Sequence, residues 1–212
     1  MRNYSKLFLV FTCIILGSAV VSAQQLFTNI EVAPRWVMGP GIQSGSAIER
    51  GSALQMKWLQ LDIDFKTVPI RAGWLDDVVF KYDILLPQTA SKKVVLSGRI
   101  EYWSIKMDGQ EHHVQAFVHP RILQRYAPGL RMRKSDLKDL RILVTVLKND
   151  SPVGMGVYKP TTKTDPRTIK AAIDNAMKSM QTLKAKDSVF GRNETPWGVL
   201  NVSYYELIKR KR

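Results

Sequence analysis

Apolar residues in this chain recur mostly at every second position. Leu59, Leu61, Ile63 and Phe65 share one parity, whereas Leu54, Met56 and Trp58 share the other. Such alternation puts one set of side chains on each face of a strand. It predicts a strand over 54–65, with a phase switch between Trp58 and Leu59 that fits a bulge or a strand changing sheets. Val78, Phe80, Tyr82, Ile84 and Leu86 alternate more cleanly, and Pro87 ends the run. A first strand is expected over 27–37, with Pro34 arguing for an edge position because it cannot donate to a ladder. The segment 38–46, rich in glycine and serine, reads as a loop. Residues 94–107 and 111–118 read as two strands joined by a hairpin turn at Asp108-Gly109. Residues 140–147 and 153–158 form another pair around the turn at 149–152, the second weakened by Gly154 and Gly156. A last strand is expected over 197–208, carrying Val199, Leu200, Val202, Tyr204 and Leu207.

Two stretches change period. Pro120 opens a short helical piece through Tyr126. Asp165 can cap free amides, and Pro166 suits the first helical position. Behind them Ile169, Ala172, Ile173, Ala176, Met177, Met180 and Leu183 form one apolar stripe at helical spacing, so a helix is predicted over about 165–183. Residues 184–194 read as a polar loop. About eight strands and one late helix point to a mainly β fold: an immunoglobulin-like β-sandwich, or alternatively a partly open β-barrel. No repeat or low-complexity linker divides the chain.

The first residues change the compartment. Arg2 and Lys6 precede a nearly apolar run over 7–21, and Val21-Ser22-Ala23 supplies small residues before Gln24. Basic start, short apolar core and small-residue cleavage site make a secretion signal. A membrane anchor would need roughly 20 apolar residues, and this run is shorter and broken by Thr12, Gly17 and Ser18. The expected protein is therefore a signal peptide over 1–23 and a single β-rich domain over 24–212, exported to the periplasm or cell surface with no later membrane span. Cys13, the only cysteine, leaves with the signal, so packing rather than disulfides must stabilise the fold. Cys13 is also placed wrongly for a lipoprotein, and the glycine cut of a prepilin is absent.

Charge then suggests what the surface meets. The formal net charge is +14, of which Arg2 and Lys6 carry two. Arg121, Arg125, Arg131, Arg133, Lys134, Lys138 and Arg141 crowd one segment, opposed only by Asp136 and Asp139. A field of this kind attracts polyanions such as acidic glycans or an acidic protein face. The first six are the candidate binding residues, by electrostatics alone; a solvated, solubilising surface is the competing reading.

Catalytic and metal constellations are not convincing. Adjacent His112 and His113 would point to opposite faces of a strand. His113 and His119 would lie about 20 Å apart at ~3.3 Å per residue, against metal–nitrogen bonds of about 2 Å. The Gly41-to-Gly45 stretch has one residue too many for a nucleophile elbow. Its glycines also lack phosphate-loop spacing. Asp62 and Asp64 would share a face, as an acidic patch. No catalytic residue, metal or cofactor is expected, so the chain reads as non-enzymatic. Of the tryptophans, Trp103 has the strongest claim to exposure, amid Glu101, Tyr102, Ser104 and Lys106.

A resemblance adds to this. The signal ending Val21-Ser22-Ala23-Gln24-Gln25, the cysteine-free basic β domain, and the segments Trp58-Leu59-Gln60-Leu61-Asp62-Ile63-Asp64-Phe65 and Trp197-Gly198-Val199-Leu200-Asn201 together resemble a verrucomicrobial, Akkermansia-type secreted pilus-like family. That resemblance covers nearly all of the chain after the signal. It implies an immunoglobulin-like, pilus-associated structural or assembly component whose partners are other envelope or pilus proteins or further copies of itself. It offers no catalytic residues. Acidic glycans are the alternative partner; specific nucleic-acid binding is not expected.

Overall fold

The structure is a computed structural model describing residues 25–39, 57–87, 92–161, 164–198 and 204–209. The expected signal peptide over 1–23, most of the loop 38–46, Leu54 and Met56, and residues 199–203 lie outside the described residues.

Alternation produces the expected strands: β1 (Phe27–Met38), β2 (Lys57–Thr67), β3 (Trp74–Leu85), β4 (Val94–Lys106), β5 (Glu111–Val118), β6 (Arg141–Lys148) and β7 (Ser151–Val157). Two short ones follow, β8 (Leu183–Ala185) and β9 (Phe190–Gly191). All nine join in one mixed sheet, ordered β8-β4-β3-β6-β7-β1-β2-β5-β9. The protein is mainly β, but the two-sheet immunoglobulin-like sandwich gives way to a single sheet curled into a half-barrel, nearer to the alternative expectation.

The curl is visible in the aromatic core. Phe65 of β2 meets Phe80 of β3 with ring centroids 5.4 Å apart, although three strands, β6, β7 and β1, lie between them in the sheet order. Phe27 contacts both rings, and Phe80 reaches Tyr102 of β4. Inner faces of strands distant in the sheet thus pack on each other, with Leu59, Leu61, Ile63, Ile84 and Ile105 fully buried. Each such side chain contributes about 1.5–3 kcal/mol by leaving water.

The segment from β8 to β9 helps close the curl. β8 pairs in parallel with β4, and β9 pairs antiparallel with β5. Between them the Ser188 amide donates to Ser97 O at 2.9 Å. Residues 204–209 then run as a strap between β4 and β5: the Trp103 amide donates to Leu207 O, and the Lys209 amide to Glu101 O.

Several expectations change here. β4 pairs with β3 and β8, and β5 with β2 and β9, so Asp108-Gly109 is a corner between distant strands rather than a hairpin. Gly109 still takes positive φ, and its amide donates to Thr67 Oγ1. No register shift interrupts β2 at Trp58; the irregularity lies in β1 between Thr28 and Glu31, where Asn29 has φ 47°. β1 lies inside the sheet order, yet its only ladder pair with β7 is Glu31 with Val157, so the Pro34 half is unpaired on that side. Around 197–208, the described residues form turns and the strap, with one isolated bridge from Ile208 to Tyr102.

The short helix α1 is Pro120–Tyr126 and the longer α2 is Pro166–Lys178. Asp165 accepts the Arg167 amide at 2.9 Å, as its capping position predicts. Ile169 and Ile173 bury against Leu143 and Val157 on the outer face of β6 and β7. The helix stops before Met180, which is fully exposed, and Leu183 belongs to β8. No helix among the described residues is long and apolar enough to cross a membrane.

Candidate binding surface

The six predicted cations lie on one continuous piece of chain that follows β5. Arg121 and Arg125 project from α1; Arg131, Arg133, Lys134 and Lys138 follow on an extended stretch and a 3-10 turn over Lys134–Asp139. All six are exposed.

Backbone contacts fix this segment beside the open half of β1. Trp36 Nε1 donates to Arg133 O at 2.9 Å, and Lys57 Nζ to Met132 O at 3.4 Å. Leu137 and Leu140 anchor it in the core. Carbonyl groups and leucines therefore face inward, which leaves the cationic side chains pointing to solvent. Asp136 is consumed locally, accepting the Arg133 amide at 3.0 Å and the Ser135 hydroxyl. Arg141 turns onto the carbonyls of Lys138 and Leu140. Among the described residues none of the seven basic side chains pairs with a carboxylate. The result is a fixed, uncompensated positive face.

His119 ties this face to an aromatic cluster. It caps α1: Nδ1 accepts the Arg121 amide at 3.0 Å, which requires the neutral ring. Burial, and then the Arg121 charge, lower its pKa from the usual 6.5. The ring packs on Trp58 at 4.5 Å; Trp58 meets Trp197 edge-on at 5.2 Å, and Trp197 stacks on Phe117 at 4.7 Å.

The register of β2 with β5 places a polar network on the same outer face. Asp64 stands opposite His113, and Asp62 opposite Gln115. Parity alone marks Trp58, Gln60, Asp62 and Asp64 as one face; only register adds His113, Gln115 and Phe117. Asp62 pairs with Arg35 at 2.9 Å and accepts Nε2 of both Gln60 and Gln115 at 2.7 Å. Asp64 holds His113 at 2.5 Å, and that ring stacks on Tyr204 of the strap at 4.7 Å. The expected acidic patch is therefore a set of paired carboxylates.

His112 and His113 point to opposite faces. His112 stacks on Phe65 and contacts Glu206 at 2.7 Å and Asp108 at 3.1 Å. The Gln110 amide, helped by His112 and Lys106, holds the Asp108 carboxyl down at about 2. Among the described residues no group of three potential ligands is placed to hold a metal. Trp103 is 56% exposed, under the Lys209 ammonium at 4.9 Å, and Trp74 is exposed too.

Comparisons with known proteins bear on the family and the fold. A family model matches residues 28–212. A protein from Akkermansia muciniphila of known crystal structure superposes with TM-score 0.62 at 16% identity, covering 90% of this chain and 98% of that one. The chain belongs to the family of that model. At that identity, the likeness to the solved Akkermansia-type structure establishes the shared fold. No curated protein matches.

Proposed function

We propose that the chain is an exported, non-enzymatic surface protein serving as a structural or assembly component of a type IV-like pilus. In this reading it docks an acidic protein partner through Arg121, Arg125, Arg131, Arg133, Lys134 and Lys138. The observation that carries the reading is the anchored cationic segment without carboxylate partners among the described residues. A floppy basic tail solvates itself; a segment pinned by Trp36, Leu137 and Leu140 presents its charges at fixed positions. Fixed charge of one sign steers an oppositely charged partner and sets its register. Membership of a family associated with surfaces and pili supports the placement at the envelope.

Charge reversal at Arg131, Arg133 and Lys134 tests it. The triple variant should fold normally and lose association with envelope complexes. Retained association would end the reading. A second reading, an acidic glycan on the same face, is favoured by the same exposed cations. It differs in that purified polyanion alone should bind at low salt and dissociate steeply as salt rises.

A further inference from the structure

On the outer face of β1, β2 and β5 lies a cavity of 310 Å³ lined by Arg35, Gln60, Gln115, Trp197, Tyr205 and the buried Arg192, whose guanidinium lies over the Tyr205 ring at 4.3 Å. Its floor is unusual for an outer sheet face, because Gln60 and Gln115 are more than nine-tenths buried. Buried amides are retained where both ends find partners. Here the Asp62 carboxylate can only accept, so both Nε2 groups turn toward it. That fixes each amide with its Oε1 directed away from Asp62, and neither oxygen takes a hydrogen bond among the described residues. Tyr205 accepts the second Gln115 Nε2 hydrogen at 2.8 Å, which leaves the phenol proton to be donated elsewhere. Arg35, bound to Asp62 on one side, is more than half exposed and offers further donors. Trp197, stacked on Phe117 and met edge-on by Trp58, forms an aromatic wall.

Acceptors and donors therefore converge in a cavity that also has an aromatic side. Sugar hydroxyls each donate and accept, and a pyranose ring has an apolar C–H face suited to an aromatic ring. We infer that this cavity is a saccharide subsite taking a single pyranose unit, with Gln60 and Gln115 oxygens accepting from vicinal hydroxyls, Tyr205 and Arg35 donating, and Trp197 packing on the ring. This site is separate from the basic face and does not depend on pilus assembly. Its contacts are short-range hydrogen bonds and stacking, so its affinity should change little with salt.

The test uses the chain over residues 24–212 with methyl glycosides of galactose, N-acetylglucosamine and glucuronic acid, followed by tryptophan fluorescence and saturation-transfer NMR. At least one should bind saturably in the millimolar range, with the NMR signal strongest on ring protons. Tyr205→Phe removes one donor and leaves Gln115 bonded to Asp62, so it should fold; loss of one buried hydrogen bond predicts roughly tenfold weaker binding. Trp197→Leu should abolish the fluorescence response and binding together. The Arg131, Arg133 and Lys134 charge-reversal variant should bind the glycoside as the parent does, so failure of the docking reading and failure of this one are distinguishable. Absence of saturable binding by all three sugars, or binding unaffected by both Tyr205→Phe and Trp197→Leu, would overturn the assignment.

Discussion

Adding one methyl group at Gly156 should destabilise this protein, although alanine ordinarily suits a strand better than glycine. A Cβ at that position would lie 2.4 Å from Ile30 Cγ2 and 2.8 Å from both Ile30 Cβ and the Ile30 carbonyl oxygen. The first atom can rotate aside; the carbonyl cannot without moving β1. Overpacking of this kind costs about 1–3 kcal/mol, offset by about 0.4–1 kcal/mol from the lower entropy of the unfolded chain. The expected net loss is about 1–2 kcal/mol, or roughly 2–8 °C in Tm for a chain of this size. Urea unfolding of the chain over residues 24–212 measures it, as a lower midpoint at unchanged slope. Gly39→Ala is the control, since its Cβ would meet only Trp58 Nε1 at 3.7 Å. Ile30→Ala in the Gly156→Ala background should recover only part of the loss, because the Cβ and carbonyl contacts persist. If Gly156→Ala unfolds at or above the midpoint of Gly39→Ala, the close approach of β1 to β7 is wrong.

Other consequences are equally direct. The His119 cap works only when neutral and its pKa is lowered in the fold. The unfolded chain therefore takes up the proton first, so this contribution is complete above about pH 6.5, shrinks as pH falls, and levels off below the folded value; His119→Asn should flatten that part of a stability–pH curve. Asp108 has the opposite behaviour, with its folded pKa held at about 2, so its stabilisation is present above the unfolded value and lost as pH falls through about 2; Asp108→Asn should remove that acid dependence in chemical unfolding. The Tyr82 and Tyr102 hydroxyls are buried with no hydrogen-bond partner beyond each other among the described residues, so replacing both by phenylalanine should be nearly neutral or stabilising, measured by the same unfolding assay.

The strands were readable because β2 and β3 bury mainly one parity, and Val78, Phe80, Tyr82, Ile84 and Leu86 all reach the core as their spacing predicts. Curvature was not readable. A strand with one buried face looks the same whether that face meets a second sheet or the far side of its own, and only the pairing of β7 with β1, which joins the strands into one sheet, separates the cases. Turn chemistry misled at Asp108-Gly109, since a tight left-handed corner serves a hairpin or a crossing equally well; the pairing of β5 with β2 decides it. β8 and β9 were hidden because they are only three and two residues long, too short for alternation to show, and they pair with β4 and β5. Crowding of the cations was plain in sequence, but their anchoring by Trp36 across nearly a hundred residues was not. The saccharide cavity depends on register between β2 and β5, which parity cannot supply.

The most direct test of the docking claim is photo-cross-linking in the native cells, with the reactive residue replacing Lys134 at the centre of the basic face. Docking predicts specific adducts with acidic envelope or pilus proteins, identified by mass spectrometry and absent when the residue is placed at Lys170 on the far helix. Equal, sparse labelling from both positions would contradict it and return the basic segment to an ordinary solvated surface.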